Sequence, residues 1–117
     1  MTNVNGGKWI RPEKRLAIYL RDRFECGYCG CDLRHAAPRE LTLDHLVPRV
    51  DGGSNDHRNL VTSCLSCNSR RRHTPWTEYA DEAAARRIAS TRELELNLEL
   101  ARAILADRTG NRSEESK

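Results

Sequence analysis

Two cysteine pairs, Cys26-Gly27-Tyr28-Cys29 and Cys64-Leu65-Ser66-Cys67, limit what this chain can fold into more than any other feature. Each pair has the C-x2-C spacing of a metal knuckle, and 34 residues separate the pairs. Four thiolates match the closed tetrahedral shell of structural Zn²⁺, so one ion would join two distant parts of the chain. A chain of 117 residues, 38% hydrophobic and 5% aromatic, fits one domain with a modest core that needs outside help. Structural zinc can contribute roughly 10–16 kcal/mol of binding free energy at neutral pH, more than such a core supplies alone. Cys31 is a fifth cysteine; it can displace Cys29, but C-x2-C at both ends is the simpler geometry and leaves Cys31 a spare thiol.

No apolar run approaches the roughly 18 residues needed to cross a membrane. The N-terminus, Met1 to Gly7, has neither the basic start nor the apolar stretch of a signal peptide. The expectation is a cytoplasmic protein with no membrane partner, in which paired C-x2-C motifs bind metal before they form disulfides.

Along the chain, residues 1–10 read as a flexible segment from which Trp9 and Ile10 dock on the adjoining residues. Pro12 suits a first helical turn, and Leu16, Leu20 and Phe24 recur at the four-residue spacing of a short amphipathic helix. Gly27 and Gly30 give the first knuckle its backbone freedom. Leu41-Thr42-Leu43 and Leu60-Val61-Thr62 read as two short strands, separated by a long turn carrying Pro48 and Asp51-Gly52-Gly53-Ser54-Asn55-Asp56. A helix starting at Ser63 or Cys64 and running through Arg72 comes next. The expected class is therefore α+β: strand, loop, strand, helix at residues 11–80, with flanking N- and C-terminal helices. Residues 81–109 read as a helical extension on their Ala, Glu, Arg and Leu content, and residues 110–117 as a disordered tail. Leu94, Leu96, Leu98 and Leu100 alternate as in a strand, but Leu94, Leu98, Ala101 and Leu105 also fit a helix, which the flanking residues favour.

Between and beside the cysteines lie Asp44-His45, Asp51-Gly52-Gly53, Asn59-Leu60 and Cys67-Asn68. Asp44 offers a hard carboxylate oxygen suited to Mg²⁺ or Mn²⁺. Asn68 would open the exposed face of the helix after the second pair, where its amide oxygen can join the same ion. A neutral imidazole at His45, with an unperturbed pKa of about 6.5, can take a proton from water at neutral pH. Neighbouring strand residues point to opposite faces, so Asp44 and His45 can share a site only where the strand ends or twists; Pro48 makes an ending there reasonable.

This order of residues resembles the HNH nucleases, the ββα-metal or His-Me finger endonucleases, over roughly residues 16–79. The Asp-His, Gly-Gly, Asn-Leu and Cys-x2-Cys-Asn elements together are specific, although no single one is. The resemblance implies a zinc-stapled ββα core with one catalytic divalent ion on Asp44 and Asn68. It implies His45 as the general base and in-line attack leaving a 5′-phosphate and a 3′-hydroxyl. It further implies that Asn59 ties the loop together and orients His45 rather than touching the ion. The family often has histidine at the position of Asn68; asparagine leans toward an oxygen-loving metal. His35, His57 and His73 read as solvated or structural histidines.

Residues 1–80 carry 13 Lys+Arg against 9 Asp+Glu, and residues 81–117 carry 7 against 8. The cysteine-bearing half is thus the better partner for an anion. Arg70, Arg71 and Arg72 follow Asn68, with Arg49 and Arg58 across the loop and Arg21 and Arg23 before the first knuckle. Phosphate contacts from Arg49, Arg70, Arg71 and Arg72 would give DNA affinity that falls with salt but little sequence choice. The leucines between Leu94 and Leu105 either pack on the core or form a homodimer seam. The rival to a DNA-cutting enzyme is a non-catalytic zinc module that binds nucleic acid or protein. That module explains the cysteines and arginines but not Asp44, His45 and Asn68 together. A redox protein is more distant, since no βαβ pattern surrounds the C-x2-C pairs.

Overall fold

The computed structural model describes the backbone of residues 10–115 and the side chains of residues 10–108; the first nine residues of the expected N-terminal segment lie outside it. Helix α1, Pro12–Arg21, has Pro12 in its first turn, Glu13 near its N-terminus and Arg21 in its last turn, the arrangement the helix dipole favours. It ends where Arg23 and Phe24 adopt positive φ angles of 58° and 55°, turning the chain into the first cysteine knuckle. Gly30 in that knuckle has a φ of 78°, a left-handed conformation that glycine takes at no steric cost.

Strand β1, Leu41–His45, pairs antiparallel with β2, Leu60–Cys64. The register sets Leu41 opposite Cys64, Leu43 opposite Thr62, Asp44 opposite Val61 and His45 opposite Leu60. Helix α2, Leu65–Arg71, leaves β2 at once, with the Cys64 thiol capping it by accepting from the Cys67 N–H at 3.4 Å. This is the expected ββα unit, each strand two residues longer than its sequence signal. A short helix α3, Trp76–Tyr79, then α4, Glu82–Thr91, and α5, Leu98–Glu115, complete the chain.

Because opposite residues of an antiparallel pair share a face, the hairpin divides the core. Val61 joins Cys26, Tyr28, Leu33, Leu46, Cys67, Ala84 and Ile88 on the cysteine side. Leu60 and Leu43 pack with Ile10 and Ile18 on the α1 side. The outer edge of β2 is not left open: the Asp22 carboxylate accepts from Thr62 N–H at 2.9 Å, and Gly27 N–H donates to Thr62 C=O at 2.9 Å. Arg21, whose side chain is only 1% exposed, pairs with Asp22 and donates to the carbonyls of His57 and Leu60. It therefore braces the fold instead of facing an anion.

Two expectations for the C-terminal third need correction. The helix does not run through Leu94; α4 stops at Thr91, and α5 restarts at Leu98 because Asn97 Oδ1 accepts from the Leu100 N–H at 3.0 Å, an N-cap bond. The backbone of α5 also continues through residues 110–115, which read as a disordered tail. A single Gly110 costs a helix only about 1 kcal/mol. Leu94 and Leu100 stay exposed, but Leu96, Leu98, Ile104 and Leu105 pack with Ala101 against Leu16, Ala17, Leu20 and Phe24. These leucines therefore give no support to a homodimer seam. Among the described residues no helix is long and apolar enough to cross a membrane.

Candidate active site

The four cysteines meet. Ligand atoms of Cys26, Cys29, Cys64 and Cys67 all lie within 4.8 Å of one another, and Cys29 Sγ lies 3.9 Å from Cys64 Sγ. In each knuckle the first thiol accepts from the N–H of the second cysteine at 3.4 Å. Four sulfurs at that spacing, with backbone N–H groups turned toward them, fit a tetrahedral zinc ion. Burial pushes the Cys26 and Cys67 thiols up. Burial also acts upward on Cys29, but hydrogen bonds from Cys31, Cys26 and Cys64 outweigh it and bring this thiol down to about 7. Cys31 is exposed and stands outside the four, its thiol pushed up to about 12 by desolvation and by Cys29.

Asp44 and Asn68 lie toward one face of the hairpin. Thr42 and Asp44 share that face as alternate residues of β1, and α2 lays Asn68 over it, Nδ2 donating to Thr42 Oγ1 at 3.0 Å. The Thr42 hydroxyl spends its proton on the Ser63 carbonyl at 2.7 Å, so toward Asn68 it can only accept. This fixes the amide orientation and leaves the Asn68 oxygen as the free end. The Asp44 carboxylate is approached at Oδ2 by the Tyr28 hydroxyl at 2.5 Å and by Arg71 Nη1 at 2.6 Å.

His45 is the last residue of β1, after which the chain leaves the sheet toward Pro48. Its ring belongs to a different set of partners: Nε2 lies 2.8 Å from Asn55 Oδ1. With an amide oxygen as partner, Nε2 carries the proton and Nδ1 keeps the lone pair. Asn55 is itself fixed, since Lys14 Nζ donates to its carbonyl oxygen. Asn59 is buried and ties the turn together, its Oδ1 accepting from Val47 N–H at 2.8 Å and its Nδ2 donating to the carbonyls of Val47 and Ser54. The ring of His45, however, is met by Asn55 and not by Asn59, whose hold on Ser54 acts one residue away. Gly53 has to be glycine, since a Cβ there would fall 1.7 Å from the Val47 carbonyl oxygen.

The arginines divide sharply. Arg49, Arg70 and Arg72 are exposed. Arg71 is 2% exposed, with its guanidinium committed to Asp44 and to the carbonyls of His45, Leu46 and Thr74. The expectation that Arg71 holds phosphate is therefore corrected: its side chain turns inward because three carbonyls at the end of β1 and of α2 need a donor. His35 and His73 are exposed and His57 is half-buried, and none of them belongs to the cysteine group. Sequence reasoning missed Tyr28, Asn55 and the inward turn of Arg71. Tyr28 is hidden between two of the clustered cysteines, and Asn55 within a stretch whose composition says only turn.

A two-stranded hairpin, a helix directly after it, a four-cysteine staple and the Asp-His, Asn and Cys-x2-Cys-Asn elements at these places define the ββα-metal class. Residues 26–74 match the HNH endonuclease family. The chain is also similar to the CRISPR-associated endonuclease Cas9 of Corynebacterium diphtheriae, 33% identical over 79 residues, which is 67% of this chain and 7% of that protein. It is 38% identical over 58 residues to the CRISPR-associated endonuclease Cas9 of Actinomyces naeslundii, covering 49% of this chain and 5% of that protein. The chain thus spans less than a tenth of the length of these curated relatives.

Proposed function

We propose that this chain is a metal-dependent endonuclease that hydrolyses phosphodiester bonds in DNA, with His45 as the general base. The observation that carries the reading is the disposition of three side chains on an HNH fold. Asp44 and Asn68 lie toward one face with oxygens available, while His45 at the strand end has its Nε2 held by Asn55. His45 Nδ1 takes a proton from water, and the resulting hydroxide attacks phosphorus in line, breaking the bond to the 3′-oxygen, which takes a proton from solvent, so that a 5′-phosphate and a 3′-hydroxyl remain. Asn55 holds the ring in the required tautomer and direction. The Asp44 carboxylate and the Asn68 amide oxygen are donors of the kind hard divalent cations choose, so Mg²⁺ or Mn²⁺ would be held there. When bound, such an ion supplies positive charge beside the phosphate and the leaving oxygen.

Zn²⁺ on Cys26, Cys29, Cys64 and Cys67 is structural in this reading. Arg49, Arg70 and Arg72, exposed on either side of Asn68 and the loop, contact the phosphate backbone; Arg71 is not among them. Purified zinc-loaded protein incubated with supercoiled plasmid and Mg²⁺ or Mn²⁺ tests the proposal. Nicking is expected with metal, lost on chelation of the divalent ion and lost in His45→Ala while its zinc content and fold persist. Cleavage at the wild-type rate by His45→Ala would sink the mechanism. Absence of cutting by the folded, zinc-loaded chain would favour the non-catalytic binding module.

A further inference from the structure

Both cysteine pairs send a donor to the same carboxylate oxygen. Tyr28 stands between Cys26 and Cys29, is 5% exposed, and its hydroxyl meets Asp44 Oδ2 at 2.5 Å. Arg71 lies one helical turn beyond Cys67, and its Nη1 meets the same Oδ2 at 2.6 Å. Neither donor can swing away. The Tyr28 ring is packed edge-on against Tyr79, with centroids 5.2 Å apart at 80°. The Arg71 guanidinium is pinned by three carbonyls. A carboxylate with both oxygens free can rotate and hold a cation through either or both. One held at Oδ2 by two rigid donors has a single oxygen, Oδ1, to offer.

We infer that Tyr28 is a positioning residue through which the cysteine cluster sets the catalytic carboxylate: with Arg71 it locks Asp44 so that Oδ1 alone faces a divalent cation. The inference rests on the assignment of Asp44 as the cation-facing carboxylate in the proposed function. The two cysteine ligands flanking Tyr28 fix its backbone, so the zinc staple acts on the chemistry through one hydroxyl as well as on stability. Partners that orient a metal-ligating group typically change metal affinity or activity by about 10- to 100-fold when removed.

The full zinc-loaded chain is titrated with Mn²⁺ and free ion is read by electron paramagnetic resonance, beside Asp44→Asn and Tyr28→Phe, with plasmid nicking and zinc content measured on the same samples. Tyr28→Phe is expected to keep its zinc, to bind Mn²⁺ about 10- to 100-fold more weakly and to lose a similar factor in kcat. Wild-type Mn²⁺ affinity and nicking in Tyr28→Phe overturn the inference and leave the nuclease intact. A wild-type chain that binds Mn²⁺ through Asp44, weakly in Tyr28→Phe, yet cuts nothing overturns the nuclease reading and leaves the inference standing. No Asp44-dependent Mn²⁺ binding in the wild type overturns the inference directly. Should Tyr28→Phe fail to fold, the Tyr28 hydroxyl proton of the wild type is followed by NMR. A downfield, slowly exchanging signal that moves on addition of Mg²⁺ is expected, and a signal indifferent to Mg²⁺ overturns the inference.

Discussion

Arg71 and Asn55 illustrate how a single side chain's worth here depends on what it faces. Arg71 is one of three consecutive arginines, but its burial places a positive charge where only Asp44 and three carbonyls can answer it. Arg71→Met would keep the apolar stem and leave Asp44 and those carbonyls without their donor. Breaking one side of a buried pair costs about 3–5 kcal/mol, and urea denaturation of the zinc-loaded protein should show a loss of that size. The same experiment on Arg70→Met or Arg72→Met should show almost none, since both are exposed and such sites usually fall within about 0.5 kcal/mol. In the proposed function Asn55 would act on rate in place of stability. Asn55→Ala releases the His45 ring, and misplacing a reacting group by even a small distance can cost on the order of 10²-fold. Plasmid nicking is expected to lose about 10- to 100-fold in kcat with KM little changed; an unaltered kcat would mean that the ring is held by something other than Asn55.

The elements divide into those a local signal announces and those it does not. Strands β1 and β2 and helix α2 follow from alternation, the glycine turn and the second knuckle, and their ends move by only a residue or two in the folded chain. The break between α4 and α5 goes against the composition, since the good helix formers on both sides favour one continuous helix. Asn97 decides it, by offering the new helix a side-chain acceptor at the point where Arg92 to Leu96 has turned the chain. Asn97→Ala should therefore cost about 1 kcal/mol, seen as a lower unfolding midpoint with nicking and zinc content unchanged. Asp81, capping α4 through the Ala84 N–H at 2.8 Å, is the same device.

For the molecule as a whole, the cysteine cluster and the helix pair α1 and α5 hold the hairpin from two sides. The zinc side is the one sensitive to conditions. In the metal-free protein burial keeps the Cys26 and Cys67 thiols above their ordinary range, so they hold protons at neutral pH and zinc must displace them. Each step toward acid adds protons that compete with the ion, and zinc affinity should fall as pH falls. A colorimetric chelator added across a pH series should capture zinc more readily at the acid end, with loss of helical circular dichroism following zinc release. Cys26→Ala should bind no zinc and fail to fold, and a stable zinc-free Cys26→Ala protein would remove the structural role. The cysteine staple and the ββα order were legible along the chain, because spacing and side-chain chemistry are local properties, whereas Asp44, His45, Asn59 and Asn68 stand out there through the resemblance to the HNH nucleases. Only the folded molecule reveals that Arg71 turns inward, that Asn55 meets the His45 ring, that Tyr28 reaches Asp44 from the knuckle, and that the C-terminal leucines cover α1. Each of those depends on which distant residues the fold brings within hydrogen-bond or packing distance, and no spacing along the chain encodes that.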